Sequence, residues 1–90
     1  GGAFVSSNRE SGDGRYDIQL KPMKKGLPGI LIELKADKNC SNEKLKKLSE
    51  TALQQINDKK YETELMAAGV KIIYKYGVAF SDKKVEVAVE

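Results

Sequence analysis

An apolar run at residues 29–35 constrains this chain more than any other feature, because it acquires charge at its end. It reads Gly-Ile-Leu-Ile-Glu-Leu-Lys, with Glu33 and Lys35 two positions apart. Since successive side chains of a strand alternate between the faces of its sheet, Glu33 and Lys35 share one face while Ile32 and Leu34 occupy the other. The apolar residues before Glu33 are typical of a central strand, where a charged side chain requires a partner or a function.

A second acid is expected beside the first. Residues 16–20 (Tyr-Asp-Ile-Gln-Leu) form another strand-like segment, and a hairpin between the two segments sets Asp17 beside Glu33 on one face. Two carboxylates and the Lys35 ammonium suit a divalent cation and a phosphate better than a hydrophobic core, which points to phosphodiester chemistry. The alternative is a surface salt bridge between Glu33 and Lys35, worth roughly 0–1 kcal/mol. The predicted central strand favours the site.

The composition, with 40% hydrophobic and 32% charged residues, is typical of a globular protein. We expect one small domain spanning residues 1–90. No apolar segment approaches the roughly 20 residues of a membrane span, and the first residues lack the features of a secretion signal. Because a single cysteine, Cys40, excludes an internal disulfide, we expect a cytoplasmic location. The lack of an initiator methionine predicts that the chain is a fragment of a longer protein.

The sequence contains no histidine, which excludes Ser-His-Asp catalysis, imidazole bases and histidine zinc sites. A metal ion would therefore use oxygen ligands, which favours Mg²⁺ or Mn²⁺. The formal charge of +3 decides little by itself. Two lysine clusters flank the acidic residues and either attract a polyanion or are ordinary solvated surface. They consist of Lys21, Lys24 and Lys25, and of Lys44, Lys46 and Lys47.

The local patterns predict the element order β-β-β-α-α-β-β. Strands are expected over residues 3–7, 15–20 and 29–36, with a polar turn over 8–14, and they should form an antiparallel meander. A strand over 70–80 and a last strand around 85–89 should form a hairpin. Tyr74, Tyr76 and Phe80 alternate with lysines in this hairpin, a pattern compatible with base stacking, although packing in the core explains it more simply.

Two helices are expected between the meander and the hairpin. Ser41 and Asn42 are N-cap candidates for the first, and Gly69 is the expected terminator of the second, over 61–68. The apolar face of the first helix comprises Leu45, Leu48, Ala52, Leu53 and Ile56. A helical crossover of this kind predicts a mixed α/β sheet with the helices on one face.

Residues 14–18 (Gly-Arg-Tyr-Asp-Ile), the run at 29–35 and a following helix with Gln55 together resemble the PD-(D/E)XK nuclease superfamily. That family includes restriction endonucleases, Holliday-junction resolvases and phage-type exonucleases. Further segments resemble a bacterial branch in which the nuclease-like domain follows an AAA-ATPase-like domain in the same chain. These segments are residues 8–12, 52–56, 60–61 and 76–80.

The resemblance implies a restriction-endonuclease-like core with the order helix-strand-strand-strand-helix-strand. The chain matches this order from its first strand onward, so the first core helix is expected upstream of Gly1. Tyr16 stands where the motif has its proline, a variation that the superfamily tolerates. Glu10 is a further acid near the expected site, although solvation of a hairpin turn explains it better.

The resemblance also implies roles for individual residues. Asp17 and Glu33 would bind Mg²⁺ or Mn²⁺ together with the backbone carbonyl of Leu34. Lys35 would orient the attacking water or stabilise charge on the phosphate. Gln55 matches a polar residue that faces the metal or the scissile phosphate in related nucleases, although a helix-surface glutamine explains it equally well.

Two functions of different classes follow. The first is a metal-dependent nuclease that hydrolyses DNA, with RNA as a less favoured substrate. The second is a catalytically silent module that binds nucleic acid or regulates an attached ATPase domain. The intact set of Asp17, Glu33 and Lys35 favours the nuclease. A homodimer is also expected, since one short basic face is small for gripping a duplex and the last strands offer an edge for pairing.

Overall fold

The structure, a computed structural model, describes residues 3–10, 15–22, 26–58 and 61–90. One mixed sheet has the strand order β1-β2-β3-β4-β5, and two helices connect β3 to β4. The elements are β1 (Ala3–Glu10), β2 (Arg15–Pro22), β3 (Gly29–Ala36), α1 (Asn42–Asp58), α2 (Tyr61–Ala67), β4 (Ile73–Ser81) and β5 (Lys84–Val89). Neither helix in the described residues has the length and apolar character needed to cross a bilayer.

Strand β3 is the centre of the sheet, as its apolar sequence predicts. It pairs with β2 in the antiparallel sense and with β4 in the parallel sense. Strands β1 and β2 complete the predicted meander, and β4 and β5 form the predicted hairpin. The α/β fold class with a restriction-endonuclease-like arrangement is therefore confirmed.

Helix α1 begins where its capping residue predicts. The Ser41 hydroxyl accepts a hydrogen bond from the Lys44 N–H at 3.2 Å, which satisfies one of the free donors of the first turn. The predicted apolar face is buried or half-buried against the sheet. Its residues join two core clusters, one around Leu31 and Leu65 and one around Cys40 and Ala79.

The backbone of α1 lies directly on β4 at Gly77. A Cβ at this position would overlap the carbonyl oxygen of Ser49 and the nitrogen of Leu53, both backbone atoms of α1. Ala79, the next residue of β4 on this face, is fully buried. Small residues on β4 therefore allow the helix to approach, and they determine which face of the sheet is covered.

This contact corrects the prediction for the aromatic residues. Tyr74 and Phe80 are 44% and 42% exposed, on the face opposite to the helices. The alternating pattern shows that one face of β4 is apolar but not which face the helices cover. Because α1 requires Gly77 and Ala79 beneath it, the aromatic face is the open one.

Two strand boundaries also differ from the predictions. Strand β1 continues through residues 8–10, which were expected in a turn and instead pair with residues 15–17. Polar residues are compatible with a strand at the edge of a sheet, which explains the difference. The rest of the expected turn, residues 11–14, lies outside the described residues.

Strand β4 begins at Ile73 rather than at Val70. Gly69, at a φ of 96°, ends α2 as predicted, and the Val70 N–H then donates to the Leu65 carbonyl at 3.0 Å. This bond, with the buried contact between the two side chains, is the pattern of a Schellman cap. Val70 therefore closes the helix instead of opening the strand.

We predict that Gly77→Ala destabilises the protein by about 1–3 kcal/mol, because backbone atoms of α1 cannot move away as a flexible side chain can. Gly29→Ala is the matched control, since its Cβ would meet only the Leu65 and Val70 side chains within 3.4 Å. Urea unfolding of both variants measures the difference. Equal stability for the two variants would contradict the close contact.

Candidate active site

Glu33 and Lys35 lie on the helix-covered face of β3, as their spacing predicts. Glu33 is 1% exposed and Lys35 is 9% exposed, and each interacts with other groups of the protein. Leu31 occupies the same face and belongs to the hydrophobic core. A buried carboxylate and a buried ammonium are therefore held beside a core cluster, in surroundings where charge interactions are strong.

Asp17 is the register partner of Glu33. The Cα pairing of β2 with β3 sets Asp17 opposite Glu33 and Arg15 opposite Lys35, and residues opposite one another in an antiparallel pair share a face. The backbone thus brings the two predicted acids together, as the hairpin argument expects. The side chain of Asp17 lies outside the described residues.

Gln55 is half-buried on the flank of α1 that faces β3. Asn57 marks the opposite flank, because it contacts Lys75 of β4 and Glu90 beyond β5. Two residues rotate a helix by about 200°, so Gln55 lies on the flank of α1 opposite Asn57 and its partners Lys75 and Glu90. It interacts with other groups of the protein.

The other sequence-predicted residues are less central. Leu34 lies on the opposite face of β3, half-buried, so only its backbone is suited to a role near Glu33. Tyr61 packs against the core cluster of Leu31. Lys44, Lys46 and Lys47 are exposed on the first turns of α1, and Lys21 is exposed on β2. Lys24 and Lys25 lie outside the described residues.

The sequence analysis missed a third buried charge, Lys75 on β4. Its Nζ donates to Asn57 Oδ1 at 2.8 Å, Glu62 Oε1 at 2.9 Å and Glu90 Oε2 at 3.0 Å. These partners come from the end of α1, the start of α2 and the residue after β5. The sequence feature that could have indicated this burial is the position of Lys75 within an alternating strand, on the same face as Gly77.

The Lys75 cluster shifts two pKa values. Burial by itself lowers the pKa of Lys75, but hydrogen bonds and charge interactions with Glu62 and Glu90 outweigh it and raise the pKa above 10.5. The hydrogen bond and charge of Lys75 hold the pKa of Glu90 below 4.5. Lys75 and Glu90 are therefore both charged at neutral pH, and the cluster links β4 to α1 and α2.

Comparison with known proteins assigns the family. The sequence model of the PD-(D/E)XK nuclease superfamily matches residues 1–90. The chain belongs to the PD-(D/E)XK nuclease superfamily. No curated protein and no solved structure matches it significantly. Membership in this superfamily agrees with the mixed sheet and with the pair of acids on β2 and β3.

Members of this superfamily generally use divalent metal ions. Among the described residues, no group of three or more acidic, cysteine or histidine side chains is placed to hold an ion. Glu33 is described, and the register places Asp17 opposite it. Carboxylate oxygens are donors that suit a hard dication such as Mg²⁺ or Mn²⁺.

We predict that Glu90→Gln reduces the acid sensitivity of the fold. A carboxyl whose pKa is lower in the folded state stabilises the protein above its unfolded pKa, and this stability is lost as pH falls through the folded pKa. In the wild type, the free energy of unfolding should therefore decrease as pH falls below about 4.5. Glu90→Gln should flatten this decrease.

Urea unfolding between about pH 6 and pH 3 measures this slope. Glu50→Gln, on the exposed side of α1, is the matched control and should retain the wild-type slope. The interpretation of the cluster is wrong if the free energies of unfolding of Glu90→Gln and Glu50→Gln depend on pH in the same way.

Proposed function

We propose that this chain is a metal-dependent phosphodiesterase that hydrolyses DNA. The observation that carries the proposal is the register of β2 and β3, which sets Asp17 opposite Glu33 with Lys35 two residues along the same face. Membership in a nuclease superfamily supports it. The exposed lysines on α1 offer positive charge for a polyanion.

Each residue of the site has a role in this proposal. The carboxylates of Asp17 and Glu33 bind the cation with the Leu34 carbonyl, and charged oxygens suit a hard dication better than amides do. The bound ion would supply Lewis acidity and an activated water. Lys35 donates hydrogen bonds to a phosphate oxygen or to the attacking water, where charge develops in the transition state.

Hydrolysis proceeds in line under this proposal. The water oxygen loses a proton to solvent and forms a bond to phosphorus while the bond from phosphorus to the leaving sugar oxygen breaks, and that oxygen takes up a proton from solvent. Gln55 would position the phosphate or the water through its side-chain amide, from the flank of α1 that faces β3. Its amide both donates and accepts hydrogen bonds, so it fits either partner.

One observation favours the alternative of a catalytically silent module. Glu33 and Lys35 are almost fully buried, so a phosphate reaches them only if neighbouring groups move aside. A module that retains the fold while it binds nucleic acid or regulates an ATPase needs no such access. The cleavage assay below separates the two functions.

The context of the chain is also part of the proposal. Residues 1–90 form one domain that belongs to a longer protein with an AAA-ATPase-like domain, which the residues quoted for the bacterial branch support. A cytoplasmic location is supported by the free thiol of buried Cys40. Sequencing of the coding region upstream of residue 1 tests the ATPase context.

Cleavage of supercoiled and linear plasmid tests the function, with Mg²⁺, Mn²⁺ or EDTA present. We predict metal-dependent cutting that falls by about 100-fold or more in Lys35→Ala, because an electrostatic stabiliser of the transition state is lost. Lys38→Ala, which removes an exposed lysine just beyond β3, is the matched control and should cut like the wild type.

Two checks make the result decisive. Circular dichroism shows whether Lys35→Ala retains the fold. If Lys35→Ala unfolds, cleavage is measured with Lys35→Arg instead, which retains the positive charge. Absence of cutting by the folded wild type with every metal would contradict the nuclease and favour the silent module. Cutting of RNA but not of DNA would support phosphodiester hydrolysis and contradict DNA as the substrate.

A further inference from the structure

We propose that Lys44 binds a backbone phosphate of the DNA other than the scissile one, so that the DNA crosses the start of α1 on the side of β3. Lys44, Lys46 and Lys47 are all exposed near the start of α1, and the structure separates Lys44 from the other two. This inference rests on the proposed function, because it concerns the path of that substrate to Lys35.

The first turn of α1 lies at the end of the sheet that carries Lys35. The Cys40 N–H, just before α1, donates to Ser81 Oγ at 2.9 Å, and Ser81 is the last residue of β4. Ala79, two residues earlier on β4, is the register partner of Lys35. Lys44, in the first turn of α1, is therefore at the same end of the sheet as Lys35.

Lys44 also lies on the flank of α1 that carries Gln55. The two residues are eleven positions apart, which is about 20° around a helix and about 16 Å along it. Asn57 marks the flank beside β5 through its hydrogen bond with Glu90 at 3.5 Å, and α1 lies over β4 with β3 and β5 on either side. Lys44 and Gln55 are therefore on the side of β3. Lys46 is in line with Asn57 and lies on the side of β5.

The charge of Lys44 differs from that of the other two lysines in its neighbours along the helix. Residues three or four apart on a helix are close in space. Lys46 and Lys47 each have Glu43 on one side and Glu50 on the other at these spacings, whereas Lys44 has no acid at any of them. No ion pair of Lys44 occurs within the described part of the chain. Its positive charge is therefore available to a phosphate.

The proposed path reaches the candidate site from the side of β2. The register sets Arg15 opposite Lys35 and Asp17 opposite Glu33, whereas α1 packs on β3, β4 and β5. DNA that approaches between β2 and the flank of α1 that carries Lys44 meets a polar strand on one side and a lysine on the other. Neutralisation of a phosphate by this lysine releases a counterion and favours binding.

Binding of a fluorescein-labelled DNA duplex in EDTA tests the inference without cleavage. Fluorescence anisotropy is measured for the wild type, Lys44→Gln and Lys46→Gln between about 50 and 200 mM salt. Lys44→Gln should bind about fivefold to tenfold more weakly near 0.1 M salt and should reduce the salt slope by about 0.9, as for one lost phosphate contact. Lys46→Gln is the matched control on the opposite flank and should bind like the wild type. Glutamine is a good helix former, so both variants should fold.

Two further measurements define the role of Lys44. Lys44→Arg should retain the wild-type affinity, because either cation neutralises a phosphate. With metal present, Lys44→Gln should raise KM and leave kcat unchanged, since the contact is made equally in the ground state and the transition state.

Failure of the inference is distinct from failure of the proposed function. Equal losses of affinity in Lys44→Gln and Lys46→Gln would overturn the role of Lys44 and leave the nuclease standing. Absence of duplex binding by the wild type up to about 0.1 mM protein would also overturn it, while the plasmid cleavage assay decides the proposed function separately.

Discussion

Contact between the backbone of α1 and Gly77 of β4 decides which face of the sheet becomes the core, and the candidate site depends on that choice. A side chain at residue 77 would strike Ser49 and Leu53 of the helix. With α1 seated there, Leu31, Glu33 and Lys35 are buried on one face. The aromatic residues of β4 are left on the other face, where the last strand adds its exposed valines.

Among the residues that the structure describes, covering this face buries three charged side chains, those of Glu33, Lys35 and Lys75. The charge of Lys75 is balanced by Glu62 of α2 and by Glu90, and its hydrogen bond to Asn57 adds the end of α1. Glu33 and Lys35 lie instead near the register position of Asp17. Buried charge is costly unless it is paired or binds a ligand, and Glu33 and Lys35 both interact with other groups of the protein.

Local patterns predicted the strand order, the Ser41 cap and the pairing of Asp17 with Glu33, because each depends on neighbouring residues or on one hairpin. They failed where the outcome depended on distant contacts. The alternating pattern of β4 is compatible with helices on either face of the sheet. Only the small residues Gly77 and Ala79 indicate which face α1 covers. Lys75 was missed for the same reason, since its partners are brought together only by the fold. The roles of Asp17, Glu33, Lys35 and Gln55 stay predictions.

Calorimetric titration with Mn²⁺ measures whether Asp17 and Glu33 bind one cation together. The wild type should bind one ion per chain, and Asp17→Asn should weaken binding by at least about tenfold through loss of a charged ligand. Asp37→Asn, which changes an exposed acid just after β3, should bind like the wild type. Equal Mn²⁺ affinity in Asp17→Asn and the wild type would show that Asp17 is not a ligand of the ion.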